Sequence, residues 1–207
     1  MNRRGGVDED KRQTLRRFAA LGTAASLTGL AGTAAGEEDD DGSDTPSAIL
    51  GYLRTTPGAH FSKLRDDLKL GTGECQHHLR ELVERGAVES RKDGDYRRYF
   101  LAGRFDEFEQ VALGYLRRET PRGMLLGLLR EPDATATALA DDLDVSRPTV
   151  SKAAGELADA GLLSREDGYA VERPETVLTL VVRYADSFGP DAAAFADDAD
   201  RLIRVDN

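Results

Sequence analysis

Apolar and polar positions in residues 120–171 follow two rhythms. Met124, Leu125, Leu128 and Leu129 recur at helical spacing. Thr120 suits a helix cap, and Pro121 suits the first helical position, where its missing N–H costs nothing. Glu131-Pro132-Asp133 ends that helix. Leu139 and Leu143 mark a second, short helix that stops near Asp144. Ser146 caps a third, with Pro148 in its first turn and Val150, Ala154 and Leu157 on one face at i, i+4 and i+7. Gly161 suits a left-handed cap. Leu162-Leu163 and Tyr169-Ala170-Val171 then predict two short strands, with Asp167-Gly168 as the hairpin turn between them.

The same pattern stands 75 residues earlier. Residues 45–88 recur at 120–163, in register and without a gap. The offset pairs Thr45-Pro46 with Thr120-Pro121, Leu50 with Leu125, Pro57 with Pro132, Leu64 with Leu139 and Gly86 with Gly161. A repeat of this kind marks one structural unit per copy. In the first copy the pattern predicts helices over 47–54, 61–68 and 73–85. Cys75, Leu79 and Leu82 face inward. A longer hairpin follows, with strands over 88–91 and 96–101 and a turn at Lys92-Asp93-Gly94-Asp95. Phe105, Phe108, Val111, Ala112, Tyr115 and Leu116 predict an amphipathic connector. Two further amphipathic segments follow Pro174, one carrying Val177, Leu178, Val181, Val182, Tyr184 and Ala185, the other Phe195, Ala199, Leu202 and Ile203.

Helix, helix, turn, helix, hairpin is the order of a winged helix-turn-helix. Its third helix enters the major groove, and its wing can reach the phosphate backbone. The expected fold is therefore mainly α with small β-wings: two tandem winged helix-turn-helix domains joined by a helix. The expected boundaries are 1–44 for an N-terminal segment with an acidic linker, 45–103 for the first domain and 104–119 for the connector. The second domain takes 120–173 and the C-terminal helices 174–207.

The stretch from Ser146-Arg147-Pro148-Thr149-Val150-Ser151-Lys152 to Gly161-Leu162-Leu163 resembles the recognition helix of MarR-type and ArsR-type transcription regulators. Thr56-Pro57-Gly58-Ala59-His60-Phe61 and Gly73-Glu74-Cys75-Gln76-His77-His78-Leu79 are similar to the first domain of tandem winged-helix regulators of halophilic archaea. The resemblance covers residues 45–172. It implies a transcription regulator that binds double-stranded DNA.

Charge qualifies that reading. The net charge is −10, whereas DNA-binding domains are usually basic. The basic residues are 23 Arg and only 5 Lys, and Asp outnumbers Glu by 23 to 15. This balance resembles that of proteins from salt-in halophiles. In molar salt the Debye length is about 3 Å, so overall repulsion from DNA is screened. The counterion-release gain also shrinks, which leaves base contacts and shape to carry binding. Residues 45–103 hold 10 basic and 8 acidic side chains, a net of +2. Residues 104–207 hold 12 and 21, a net of −9. The first copy is thus the stronger candidate for DNA contact. The second reads equally as a contact for another protein, and an interaction module without DNA binding is the competing function.

Gln76, His77 and Arg80 are the outward candidates on the first recognition helix; Gln and Arg read adenine and guanine in bidentate fashion. Arg91, Lys92, Arg97 and Arg98 on the first wing suit phosphates. Ser146, Arg147, Thr149, Ser151, Lys152 and Arg165 are the candidates in the second copy.

The N-terminus tells another story. Asp10-Lys11-Arg12-Gln13-Thr14-Leu15-Arg16 resembles a twin-arginine export motif, with Lys for the first Arg and Thr for the usual Phe. Residues 18–36 carry no charge, and Thr33-Ala34-Ala35 suits a cleavage site. Export would take a DNA reader away from its genome. A cytoplasmic location with these residues as a flexible or weakly helical tail is the leading expectation, and export the minor one.

Cys75 is the only cysteine, which excludes an internal disulfide. Cys75 and His78 stand one helical turn apart, with His77 and the distant His60 as further nitrogen donors. Yet Cys75 falls on the core position matched by Val150, where a buried thiol is ordinary. No metal and no cofactor are expected. With no phosphate loop and no nucleophile motif, the chain does not read as an enzyme. The C-terminal helices suit a homodimer, or they pack back on their own domain.

Overall fold

The computed structural model describes residues 4–23 and 44–202, and the chain divides into two compact units between Arg104 and Phe105. The first unit contains α1 (Arg4–Thr23), α2 (Asp44–Thr55), β1 (Ala59–His60), α3 (Phe61–Asp67), α4 (Thr72–Glu84), β2 (Val88–Asp93) and β3 (Tyr96–Leu101). The second contains α5 (Glu107–Leu116), α6 (Glu119–Arg130), α7 (Ala136–Asp142), α8 (Arg147–Asp159), β4 (Leu163–Ser164), β5 (Ala170–Val171), α9 (Pro174–Phe188) and α10 (Pro190–Leu202). Both carry the winged helix-turn-helix plan.

The 75-residue offset holds residue for residue in the backbone. Adding it to the bounds of α2, α3 and α4 gives those of α6, α7 and α8. The caps also correspond. His60 Nδ1 accepts from the Lys63 amide at the start of α3, and Thr135 Oγ1 accepts from the Ala138 amide at the start of α7. Between the second and third helices the chain turns through a left-handed residue in each copy, Lys69 at φ 55° and Asp144 at φ 51°. After the third helix it turns through Gly86 and Gly161, at φ 69° and 71°. The left-handed region is costly for residues with a Cβ. The turn at Lys69 and Asp144 is therefore imposed by the docking of the helices on either side.

The cores match the pattern read from sequence. Cys75, Leu79 and Leu82 of α4 are buried against Ile49, Leu53 and Leu64, as are Val150, Ala154 and Leu157 of α8 within their own unit. The copies differ where the first helix meets the second. Tyr52 fills that space in the first unit and donates to Asp67 Oδ2 at 2.7 Å. Its counterpart is Gly127. A Cβ on Gly127 would lie 2.8 Å from Leu139 Cδ2, and one on Gly123 only 2.4 Å from Leu143 Cδ2.

The first wing is a full hairpin. β2 and β3 pair antiparallel from Val88–Leu101 to Asp93–Tyr96, and β1 adds a short third strand, Ala59 opposite Tyr99. That third strand is absent from the sequence reading; two residues carry no periodicity. The second wing is reduced to Leu163–Val171 and Ser164–Ala170.

The sequence pattern sets residues 1–44 apart from the first domain. The structure instead folds 4–23 into α1, which runs parallel to α2. At one end Lys11 meets Glu74, which also accepts from Thr45. At the other, Arg54 donates to the Leu21 carbonyl. Leu15 is buried between them, and the Phe18 ring packs edge-on against Tyr52 at 5.3 Å. Residues 24–43, with Thr33-Ala34-Ala35 and most of the acidic linker, lie outside the described residues.

In the second unit, α9 and α10 pack back. Val177, Leu180, Val181, Tyr184, Phe188, Ala192 and Phe195 are all buried. The buried Arg122 ties the two ends together, donating to Asp191 Oδ2 at 2.7 Å and to the Leu116 carbonyl at 3.2 Å. Most of the apolar surface that suited a homodimer is spent inside the unit. Val182 remains 43% exposed. Among the described residues no helix is long and apolar enough to cross a membrane.

Candidate nucleic-acid interface

Helix α4 starts at Gly71, whose amide donates to Glu74 Oε2 at 3.2 Å. This half of a capping box satisfies one of the donors every helix start leaves open. Glu74 is also gripped by Lys11, whose ammonium lies 3.1 and 2.9 Å from its two oxygens. Burial pushes the Glu74 carboxyl up. Lys11 and the Gly71 amide outweigh it and hold the group below the ordinary glutamate range. The recognition helix is thus fixed at its start by a residue of α1, a link not legible in the sequence.

The inward residues of α4 leave Gln76, His77 and Arg80 on the opposite side, and all three are exposed. Spaced at i, i+1 and i+4, they form one polar ridge. This is the arrangement expected of a helix that reads base edges.

The wing sorts its four basic residues into two faces. Directly opposed residues of an antiparallel pair share a face. Lys92 opposes Arg97, and both are exposed; Arg97 Nη1 also donates to Ser90 Oγ at 3.0 Å. Like charges placed opposite each other are unfavourable unless an anion lies between or near them. Arg91 opposes Arg98 on the other face.

Arg98 corrects the sequence reading. It is 4% exposed; its guanidinium is bound by the Asp93 carboxylate and donates to the Gly58 carbonyl at 3.1 Å. It braces the hairpin from inside and cannot reach phosphate. The missed signal was strand alternation, which puts Arg98 on the same face as the fully buried Phe100. Arg91 shares that face and is half-buried.

In the second unit, Ser146, Arg147, Thr149, Ser151 and Lys152 are all exposed. Three of them are already engaged. Ser146 Oγ accepts from the Thr149 amide at 3.3 Å and lies 2.8 Å from Thr149 Oγ1, so both hydroxyls serve the cap of α8. Lys152 lies 3.9 Å from Glu156. By the offset, Gly155 stands where the first copy has Arg80. A Cβ at Gly155 would lie 3.8 Å from Arg165 Nη1. The wing therefore delivers a guanidinium over the helix position that lacks one. The connector α5 holds α8 from behind: the Tyr115 hydroxyl donates to the Glu156 carbonyl at 3.1 Å.

The remaining chemistry is separated or engaged. Cys75 is fully buried, and burial pushes its thiol up to about 11, so it is protonated at neutral pH. His60 caps α3 and packs against Tyr96, with ring centres 5.0 Å apart. His77, His78 and Glu81 come together on α4, their candidate ligand atoms within 4.8 Å of one another. Asp66 pairs with Arg65, and Asp67 with Lys63.

Comparison with known proteins also gives two successive matches, the first of which runs past Arg104 into the connector. Residues 43–113 match a family model described as an N-terminal HTH domain, and residues 120–173 match the MarR family. A curated relative from Methanocaldococcus jannaschii, described as an uncharacterized HTH-type transcriptional regulator, is 29% identical over 126 residues. The match takes in 60% of this chain and 32% of that protein, so it spans about a third of the relative's length. No solved structure matches the chain.

Proposed function

We propose that this chain, a MarR-like protein with two winged helix-turn-helix domains, regulates transcription by reading promoter DNA with both recognition helices. The observation that carries the reading is the exposed Gln76–His77–Arg80 ridge on α4, with the Lys92–Arg97 pair on the wing of the same domain. Helix and wing then have separate tasks, base edges for the one and phosphates for the other. In the second domain Arg147, Ser151, Lys152 and Arg165 take those roles, with less positive charge around them. The relative's description as a transcriptional regulator supports the reading. On this reading the protein acts in the cytoplasm, at promoters, and has no catalytic role. A second copy joining through α9 would meet the exposed surface around Val182.

A second reading has its own support. Residues 104–207 carry a net charge of −9, and α8 has Gly155 in the place of Arg80. The second domain would then dock another protein while the first alone holds DNA. One experiment separates the readings. Full-length protein is incubated with sheared genomic DNA at several salt concentrations, and the retained fragments are sequenced. Discrete promoter fragments, lost in Gln76→Ala/Arg80→Ala and in Ser151→Ala/Lys152→Ala, support reading by both domains. Loss in the first variant alone supports the second reading. No sequence preference in the unaltered protein rejects both.

A further inference from the structure

Glu81 lies between two imidazoles on the outward side of α4, at i+4 from His77 and i+3 from His78, spacings that meet on a helix surface. The His77 and His78 rings are 5.1 Å apart and inclined by 64°. Nδ1 of His78 lies 3.8 Å from Glu81 Oε2, too far for a hydrogen bond. That nitrogen is buried and has no hydrogen-bond partner. Buried polar atoms are normally satisfied. Here an unsatisfied lone-pair donor faces a carboxylate across a gap wide enough for an ion. The other oxygen, Oε1, is held by Arg85, which orients the carboxylate and leaves Oε2 toward the histidines.

We propose that His77, His78 and Glu81 form a binding site for a zinc-class divalent cation on the recognition helix. Two imidazoles and one carboxylate suit Zn2+, Co2+ or Ni2+; Mg2+ and Ca2+ prefer all-oxygen sites. Zinc bonds of about 2.0–2.2 Å place tetrahedral ligand atoms about 3.3 Å apart. The present separations, all within 4.8 Å, close toward that value by rotation of the exposed His77 side chain and a small turn of the Glu81 carboxylate. Three protein ligands leave the fourth position to water. Cys75 takes no part: it lies one turn before His78 but is fully buried in the core. Arg85 serves as an outer partner that fixes the carboxylate. The site shares His77 with the proposed base-reading ridge, but metal binding itself can be tested without DNA.

The test is a competition titration of Zn2+ into the metal-free full-length chain against a chromophoric chelator. One equivalent is expected to bind. His77→Gln, His78→Gln and Glu81→Gln should each weaken it by about tenfold or more. Cys75→Val, which copies the residue at the matching position of the second domain, and His60→Gln should leave it unchanged. Far-UV circular dichroism checks each variant's fold. His77 is exposed, so His77→Gln keeps the test open if the half-buried His78 proves necessary for folding. A Co2+ spectrum should show nitrogen and oxygen ligands without a sulfur charge-transfer band. Binding that survives all three site substitutions, or that vanishes in Cys75→Val, or no binding by the unaltered chain, overturns the proposal.

Discussion

The Lys11 ammonium spans both carboxylate oxygens of Glu74, at 3.1 and 2.9 Å, and so joins α1 to the first turn of the recognition helix. The two side chains are 29% and 31% exposed, so the pair is neither a free surface ion pair nor a dry one. Lys11→Met should lower the stability of the first unit by about 1 kcal/mol. The pH dependence has a definite sign. Glu74 titrates below its ordinary value when folded. Its contribution is therefore present above the unfolded value of about 4.3 and is lost as pH falls through the lowered folded value. Thermal unfolding between pH 7 and pH 3 should show the gap between Lys11→Met and the parent closing at the acid end. A gap that stays constant with pH would rule out this coupling.

Arg97 and Arg98 are neighbours with opposite fates. Arg98→Ala leaves Asp93 without its buried partner and should cost about 3 kcal/mol of stability. Arg97→Ala removes an exposed side chain and should change stability by less than about 0.5 kcal/mol. If the wing touches phosphate, Arg97→Ala weakens binding evenly across sequences and lowers the salt slope by about 1. Denaturant melts beside binding isotherms at several salt concentrations separate the two effects. Equal destabilisation by both substitutions would contradict the face assignment.

Gly123 provides a packing test. Alanine favours a helix over glycine by about 1 kcal/mol. Here the added Cβ would meet Leu143 Cδ2 at 2.4 Å, inside a fully formed contact. Overpacking of this kind costs about 1–3 kcal/mol, which outweighs the propensity gain. Gly123→Ala should therefore unfold at lower denaturant than the parent, and a rise in midpoint would show that Leu143 moves aside freely.

Cys75 should resist alkylation in the native protein, because it is fully buried and its thiol is pushed up to about 11. Labelling with iodoacetamide at pH 8 should be slow in buffer and complete within minutes in denaturant. Fast native labelling would mean that the α4 core opens readily.

The repeat made the helices legible. Predicted spans of 61–68 and 73–85 differ by one residue from α3 at its end and from α4 at both ends, because the caps and the apolar faces are local signals. The site was partly legible. Gln76, His77 and Arg80 are exposed where the helical period put them. Arg98 was not legible as a brace, because its partner Gly58 lies 40 positions away and residue type alone argued for the surface. The docking of α1 was hidden for another reason. Leu15 and Phe18 form a sparse apolar face whose partner surface, around Tyr52, exists only once the first domain has folded. The spacing of His77, His78 and Glu81 puts them near one another, but the unpartnered, buried Nδ1 of His78 shows only in the side-chain rotamers.

The link between the second and third helices has the same length in both copies, though three of its four residues differ: Leu68-Lys69-Leu70-Gly71 in one, Leu143-Asp144-Val145-Ser146 in the other. What this link stores is a count. Each residue added to a helix turns its face by about 100°. A one-residue insertion would have to bulge the turn away from its left-handed step, or else rotate α4 in its seat. Rotation would bring Glu74 toward the position of Cys75 and carry the thiol toward the exposed place of Gln76. Many substitutions here leave the aim of the ridge intact, whereas a single insertion or deletion changes which residues the helix shows to the outside.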